Sequence, residues 1–351
     1  MAPRYAADAL TRFATDTLQR LGMEPAKAEA VADVLVEGDL LGHTTHGLLL
    51  LPMYLAEVEK KQMAVAGEPK VLADHPAAVT WDGMRLPGPW LTLEAIRLAC
   101  GRARTLGTCT VVVRRSHHIG CLASYLKRVT DQGLMILLSC SDPTGTAVAP
   151  HGGTRGAYTP NPFAAAWPTD GDPVMLDVSQ SITTNLMTRR LRAEGRRFPG
   201  PWAIDSQGRP TDDPEAMFTD PPGALLPMGG VDHGHKGYAY GLLVEALTGG
   251  LAGHGRADAK EGWTSTTFVE VFDPALFGGS ADFARQTSHL ARACRDSPPR
   301  PGFDRVRLPG ENGLRRREAQ LRDGLELHAD IVPALGPWAE KLGIALPAPL
   351  A

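Results

Sequence analysis

The sequence predicts a mixed α/β protein of the α+β kind, with helical material at both chain ends flanking a sheet-rich middle. Three observations predict it. Apolar residues recur at helical spacing near both termini, short apolar or β-branched runs broken by Gly and Pro begin at Ala77, and a strand–GxGxxG–helix unit of the doubly wound dinucleotide folds occurs nowhere. At 351 residues the chain exceeds the size at which single cores stop growing, so two packed domains are expected. The composition change places them at 1–76 with 281–351, helical, and at 77–280, built on the sheet.

Leu10, Phe13, Ala14, Thr17 and Leu21 share one helical face that ends at Gly22. Pro25, tolerated at a first helical position, opens a second helix through Val31, Val34 and Leu35 toward Gly42. Strands are expected at 78–81, 109–113, 134–139, 163–167, 174–178 and 266–272. Helices interrupt them at 122–132 and 238–251, and further helices follow around 283–294, 314–321 and 331–342. Pro-rich 297–302 and 346–350 read as connector and tail.

Composition narrows the function classes. A net charge of -3, with Lys and Arg spread along the helices, offers no basic stripe for nucleic acid. The longest apolar runs are far short of a membrane span, and Met1 to Tyr5 lead straight into an amphipathic helix, so a cytoplasmic protein with no membrane partner is expected. Five cysteines, odd in number and without CxxC spacing, read as reduced core thiols.

Two histidine motifs carry the chemistry. In Gly42-His43-Thr44-Thr45-His46-Gly47, a hydroxyl precedes a histidine expected to open a helix; Thr45 can hydrogen-bond the His46 ring, Gly47 lets a ligand approach, and a helix N-terminus disfavours imidazolium. Read alone, without these neighbours, His46 is a helix-terminal residue satisfying local backbone. Ser116-His117-His118-Ile119-Gly120 follows an expected strand, where His118 either caps the next helix or faces a ligand. Lys236 beside Gly237 is either a solvated loop residue or a phosphate contact at a helix start. His43 and His46 form an HxxH pair, but no HExxH or carboxylate at helical spacing completes a ligand set, so no metal is expected.

Together these motifs resemble the malate/L-lactate dehydrogenase family that lacks a Rossmann fold, which also includes ureidoglycolate dehydrogenases and piperideine- and pyrroline-2-carboxylate reductases. The resemblance runs over nearly the whole chain, through Asp39 to Gly42, Thr45-His46-Gly47, Ser116 to Gly120, Ala149-Pro150-His151-Gly152-Gly153, Asn161-Pro162, Leu176-Asp177, Leu225 to Gly230, His235 to Tyr238 and Leu308-Pro309-Gly310-Glu311. It implies a homodimer of subunits in which a mainly antiparallel sheet domain holds NAD or NADP beside a helical domain built from both chain ends. It also implies His46 as proton donor to a carbonyl oxygen or imine nitrogen, oriented by Thr45. Cofactor contacts are implied for His118, Ile119, Gly120, Cys121 and Leu122, for Asp177, Val178, Ser179 and Ser181, for His235 and Lys236, and for Pro309, Gly310 and Glu311.

The chain departs from the family pattern where relatives hold substrate. The family's Arg four residues after the histidine is Leu50 here, its Thr is Pro160 with Thr159 adjacent, and its Gly and Asp are met by Leu186 and Met187, after Asn185. The lost carboxylate should lower the His46 pKa. The expected function is therefore an NAD(P)-dependent oxidoreductase reducing a C=N or C=O bond, of a cyclic imine or an unusual 2-oxo or ketone small-molecule substrate. The alternatives are a 2-hydroxy acid dehydrogenase of the malate/lactate type and a non-catalytic dinucleotide-binding dimer.

Overall fold

The computed structural model describes residues 3–258 and 262–350. The expected domain limits at residues 1 and 351, and the start of the N-terminal segment at Met1, lie outside them. In chain order the elements are β1 (Arg4–Tyr5), α1 (Ala7–Arg20), α2 (Pro25–Leu41), a 3-10 turn (Leu48–Leu50), α3 (Leu51–Glu59), β2 (Lys70–His75), β3 (Ala78–Asp82), α4 (Gly88–Leu106), β4 (Thr108–Ser116), α5 (Ala123–Thr130), β5 (Met135–Ser141), β6 (Phe163–Trp167) and β7 (Val174–Val178). There follow α6 (Asn185–Ala193), β8 (Ala203–Ile204), β9 (Pro210–Thr211), β10 (Ala224–Leu225), α7 (Gly230–Glu245) with a π-helical extension (Ala246–Gly250), β11 (Ser265–Phe272), α8 (Ser280–Arg295), α9 (Glu311–Asp323), β12 (Leu325–Glu326) and α10 (Ile331–Leu342).

The main sheet runs β2-β3-β4-β11-β5-β6-β7, and every neighbouring pair is antiparallel except β3 and β4. That parallel pair needs a crossover, which α4 supplies. The sequence reading omits α4 because Gly88, Pro89 and Gly101 look like breakers. Pro89 lies in the first turn, where a missing N–H costs nothing, and Trp90, Leu91, Ala95, Ile96, Ala99 and Ala103 bury one face on the sheet. Also absent from the sequence reading are edge strand β2, whose side chains are largely exposed, and the short helices α3 and α6.

α2 is buried nearly all round because it lies between two cores. Val31 and Leu35 join the core made by α1, α3 and α10, while Val34 and Leu41 join the core under the sheet. It stops at Gly42, whose φ of 91° is the left-handed cap that glycine adopts without strain. α8, grouped with the helical domain by its sequence position, instead packs against the turn between β6 and β7, where Thr287 donates to Pro168 O and the Ser288 hydroxyl accepts from Asp170 N–H. All five cysteines are free thiols. No helix among the described residues is long and apolar enough to cross a membrane.

Candidate active site

In the antiparallel sheet, the ends of β4, β5 and β7 and the starts of β6 and β11 meet at one edge. The loop after α2 and the first turn of α6 close over that edge, leaving a cavity of about 620 Å³. Thr45, His46, His118, Gly120, Cys121, Leu122, Pro160, Asp177, Ser179, Asn185, Leu186 and Met187 all reach it. These residues, far apart in sequence from Thr45 to Met187, come together because they sit at element ends and in the loops that join them.

His46 does not open a helix. It lies in a turn, two residues before the 3-10 turn that leads into α3. Its Nδ1 is 2.8 Å from Thr45 Oγ1, which fixes the ring and leaves Nε2 for a ligand. Its pKa is lowered to about 4, chiefly by burial; Asp177 opposes the shift, and His43 and Arg190 add to it. The direction matches expectation, but the cause is desolvation and neighbouring charge, with Asp177 partly standing in for the carboxylate missing at Leu186-Met187.

His118 stacks on His46 with ring centroids 6.0 Å apart and lies 4.9 Å from the Trp263 ring. Gly120 N–H donates to its Nδ1 at 3.2 Å, so the ring proton belongs on Nε2, and the Tyr54 hydroxyl stands 2.7 Å from the same Nδ1. Burial, then His46 and His117, hold its pKa well below the ordinary histidine value. His117 is pushed to about 3, first by burial and then by Arg85. All three rings are thus neutral near pH 7.

These shifts set a pH window for stability. Between pH 6.5 and about 4 the unfolded chain takes up protons that these native histidines refuse, so the unfolded state gains as pH falls. Their contribution is complete above pH 6.5 and lost progressively as pH drops through 4.

Asp177, one residue before the end of β7, caps α5: its Oδ2 accepts from Ala123 N–H at 2.9 Å and from the Cys121 thiol at 3.6 Å. His43, Cys121 and Asp177 bring three ligand-type atoms within 4.8 Å of one another. Burial and the Asp177 charge raise the Cys121 thiol pKa, and Asp177 Oδ2 already has two donors, so Cys121, Asp177 and Ala123 form a hydrogen-bonded stretch of wall beside His43.

Other expected site residues lie elsewhere. Leu50 is fully buried among the α1, α3 and α10 side chains and does not face the cavity. Ile119 is in the sheet core, Val178 points to solvent, and the Ser181 hydroxyl donates to Thr183 O. His235 and Lys236 are exposed on the first turns of α7. Pro309 O accepts from Met175 N–H, Gly310 presses on Met175 where a Cβ would collide, and buried Glu311 accepts from Leu308 N–H and from Arg315.

The structure adds residues that sequence reasoning passed over: His43 as a wall residue, Met53, Cys140, Asp142, Arg189, Trp263 and Ser265. Thr159, noted beside Pro160, also lines the cavity and donates to Asn161 Oδ1 at 2.8 Å. Asn161 has φ 44°, a left-handed conformation that Asn tolerates better than most residues, and its amide donates to Gly241 O and Glu245 Oε1. In the sequence the available signal was the Asn161-Pro162 pair itself. Trp263 carried none, since an isolated Trp in a polar loop has no periodicity to read.

The chain belongs to the malate/L-lactate dehydrogenase family, whose model matches residues 5–336. It is an oxidoreductase enzyme. It is 34% identical to the L-lactate dehydrogenase of Cupriavidus necator over 96% of this chain and 97% of that one. It is 30% identical to the (2R)-3-sulfolactate dehydrogenase (NADP(+)) of Chromohalobacter salexigens, over 93% and 95% of the two chains. Among solved structures, it resembles the delta1-piperideine-2-carboxylate reductase of Pseudomonas syringae pvar. tomato with TM-score 0.83 and 26% identity, covering 96% of this chain and 99% of that one.

Proposed function

We propose that this protein transfers hydride between NAD or NADP and a C=N or C=O bond of a small substrate, with His46 relaying the proton and Thr45 orienting it. The observation that carries the reading is the neutral, Thr45-bonded His46 on the wall of a cavity large enough for a nicotinamide and a substrate together. The residues fit the cofactor: Gly120, with φ 73° and no side chain, keeps the 118–122 backbone open to the cavity, and Asp177 and Ser179 line it alongside. A bound nicotinamide would supply or accept the hydride. Leu186, Met187 and Met53 give the substrate side an apolar wall, which suits a ring or alkyl group near the reacting carbon.

A 2-hydroxy acid dehydrogenase of the malate/lactate type is the second reading, favoured by the low His46 pKa. A neutral imidazole is ready to take the hydroxyl proton during oxidation at pH 7, whereas reduction needs it protonated. Oxidation should therefore keep a flat kcat/KM above about pH 5, with its acid limb near 4, and reduction should slow as pH rises above that limb. A pH–rate profile in both directions checks this, and an inflection near 6.5 would contradict it.

The test of the reaction itself is titration with NADH and NADPH by nicotinamide fluorescence, then a panel of 2-oxo acids and cyclic imines. Oxidation of the cofactor by a cyclic imine faster than by pyruvate or oxaloacetate supports the first reading, the reverse order supports the second, and tight binding without turnover supports a non-catalytic dimer. A homodimer is proposed from the exposed apolar residues Val231, Tyr240 and Leu243 along α7 and Leu251 just past its extension. Light scattering should return about twice the 37.5 kDa of the chain; a monomer mass would rule the dimer out.

A further inference from the structure

α6 carries three arginines, and two are committed to the fold. Arg190 is buried, pairs with Asp330 through Nε at 2.9 Å, and donates to Thr44 Oγ1 and Thr44 O. Arg192 grips Glu215 with two hydrogen bonds, at 2.6 and 2.9 Å. Arg189 is different: it is exposed, lines the cavity, and has no hydrogen bond or ion pair with any described residue.

It is also the one Lys or Arg among the described cavity residues. His46 and His118 are neutral, and Asp142 and Asp177 bring acidic groups to the same wall. Without Arg189 the cavity would repel an anion. The position from which an arginine four residues beyond His46 would act is Leu50, sealed in the helical core.

We infer that Arg189 anchors the oxyanion group, carboxylate or sulfonate, of an acidic substrate; this rests on the oxidoreductase reading above. A guanidinium matches such a group with two parallel hydrogen bonds, and one with no partner to give up among the described residues can make them. The same first turns of α6 present Leu186 and Met187, so a single helix would set both the charge and the apolar shape that the substrate must have.

The test uses the full chain and the variants Arg189→Ala and Arg189→Lys. Steady-state kinetics are measured with the best acid of the panel and with its methyl ester, and oxalate binding is measured by calorimetry without cofactor. Arg189→Ala should raise the KM of the acid about 10- to 100-fold, the loss of one charged hydrogen-bonded contact. The KM of the ester should hold, Arg189→Lys should recover part of the loss, and oxalate binding should weaken in parallel. Because the side chain is exposed and unpaired, the variants should keep the thermal stability of the parent. An unchanged acid KM, or acid and ester losing equally, would overturn the anchor while leaving the oxidoreductase reading intact. Arg189-dependent oxalate binding in a protein that turns over nothing with either nicotinamide would keep the anchor and sink the reading beneath it. Oxalate binding that ignores Arg189 in such a protein would sink both.

Discussion

His46→Ala is expected to lower turnover by about 10² to 10⁴, the range a positioned general acid–base contributes, with NADH or NADPH binding unchanged. The split follows from the geometry. His46 offers Nε2 to the cavity and spends Nδ1 on Thr45, while the 118–122 backbone, Asp177 and Ser179 line the same wall without a hydrogen bond to its ring. Removing the ring deletes the proposed proton relay and leaves those contacts in place. Thr45→Ala should have a smaller effect, since it frees the ring to rotate without deleting it. Single-turnover kinetics with fluorescence-measured cofactor affinity decide the matter: a variant that turns over as the parent does would dismiss His46, and one that no longer binds cofactor would assign it a binding role instead.

Gly47→Ala is expected to be the most damaging substitution of a small residue in the site, with a cost of about 1 to 3 kcal/mol for overpacking alone. A Cβ at this position would come within 2.4–2.5 Å of all three outer atoms of the Asp39 carboxyl. Asp39 has nowhere to go. It is buried on α2, its Oδ2 accepts from Leu48 N–H at 2.7 Å, and its Oδ1 has no partner among the described residues. Burial raises its pKa to about 7. Below that value the carboxyl is neutral in the fold while the unfolded chain ionises near 3.8, so stability drains away as pH rises across that window. Thermal melts of parent and variant, with turnover of each, give the readout; a Gly47→Ala protein matching the parent in both would show that the loop has slack the packing denies.

The sheet was legible because its strands are short, apolar or β-branched, and punctuated: β6 and β7 have the bounds expected of them, and β3, β4, β5 and β11 differ by a few residues at their ends. α4 was not, because its glycines and proline mimic a loop and its helical face makes sense only against a sheet that the local sequence does not reveal. The same division holds in the site. Thr45, His46, His118 and Asp177 announce themselves through motif context, and the structure does gather them around one cavity. Leu50 illustrates the opposite case. Its offset from His46 marks a family position, yet the side chain turns into the core, and the wall is completed by Arg189 and Trp263, which come from α6 and the loop before β11. No spacing rule links residues that far apart. The cause of the His46 pKa was equally hidden, since desolvation depends on what closes over the ring.

Arg190 has a consequence for how the protein comes into being. One guanidinium ties Thr44, 146 positions earlier, to Asp330, 140 positions later, and so fastens the His43–Gly47 loop to the chain's far end. During synthesis that knot cannot be tied until the C-terminal segment has left the ribosome. A nascent chain therefore carries the His43–Gly47 loop early but gains this fastening of it to the C-terminal segment only at the end.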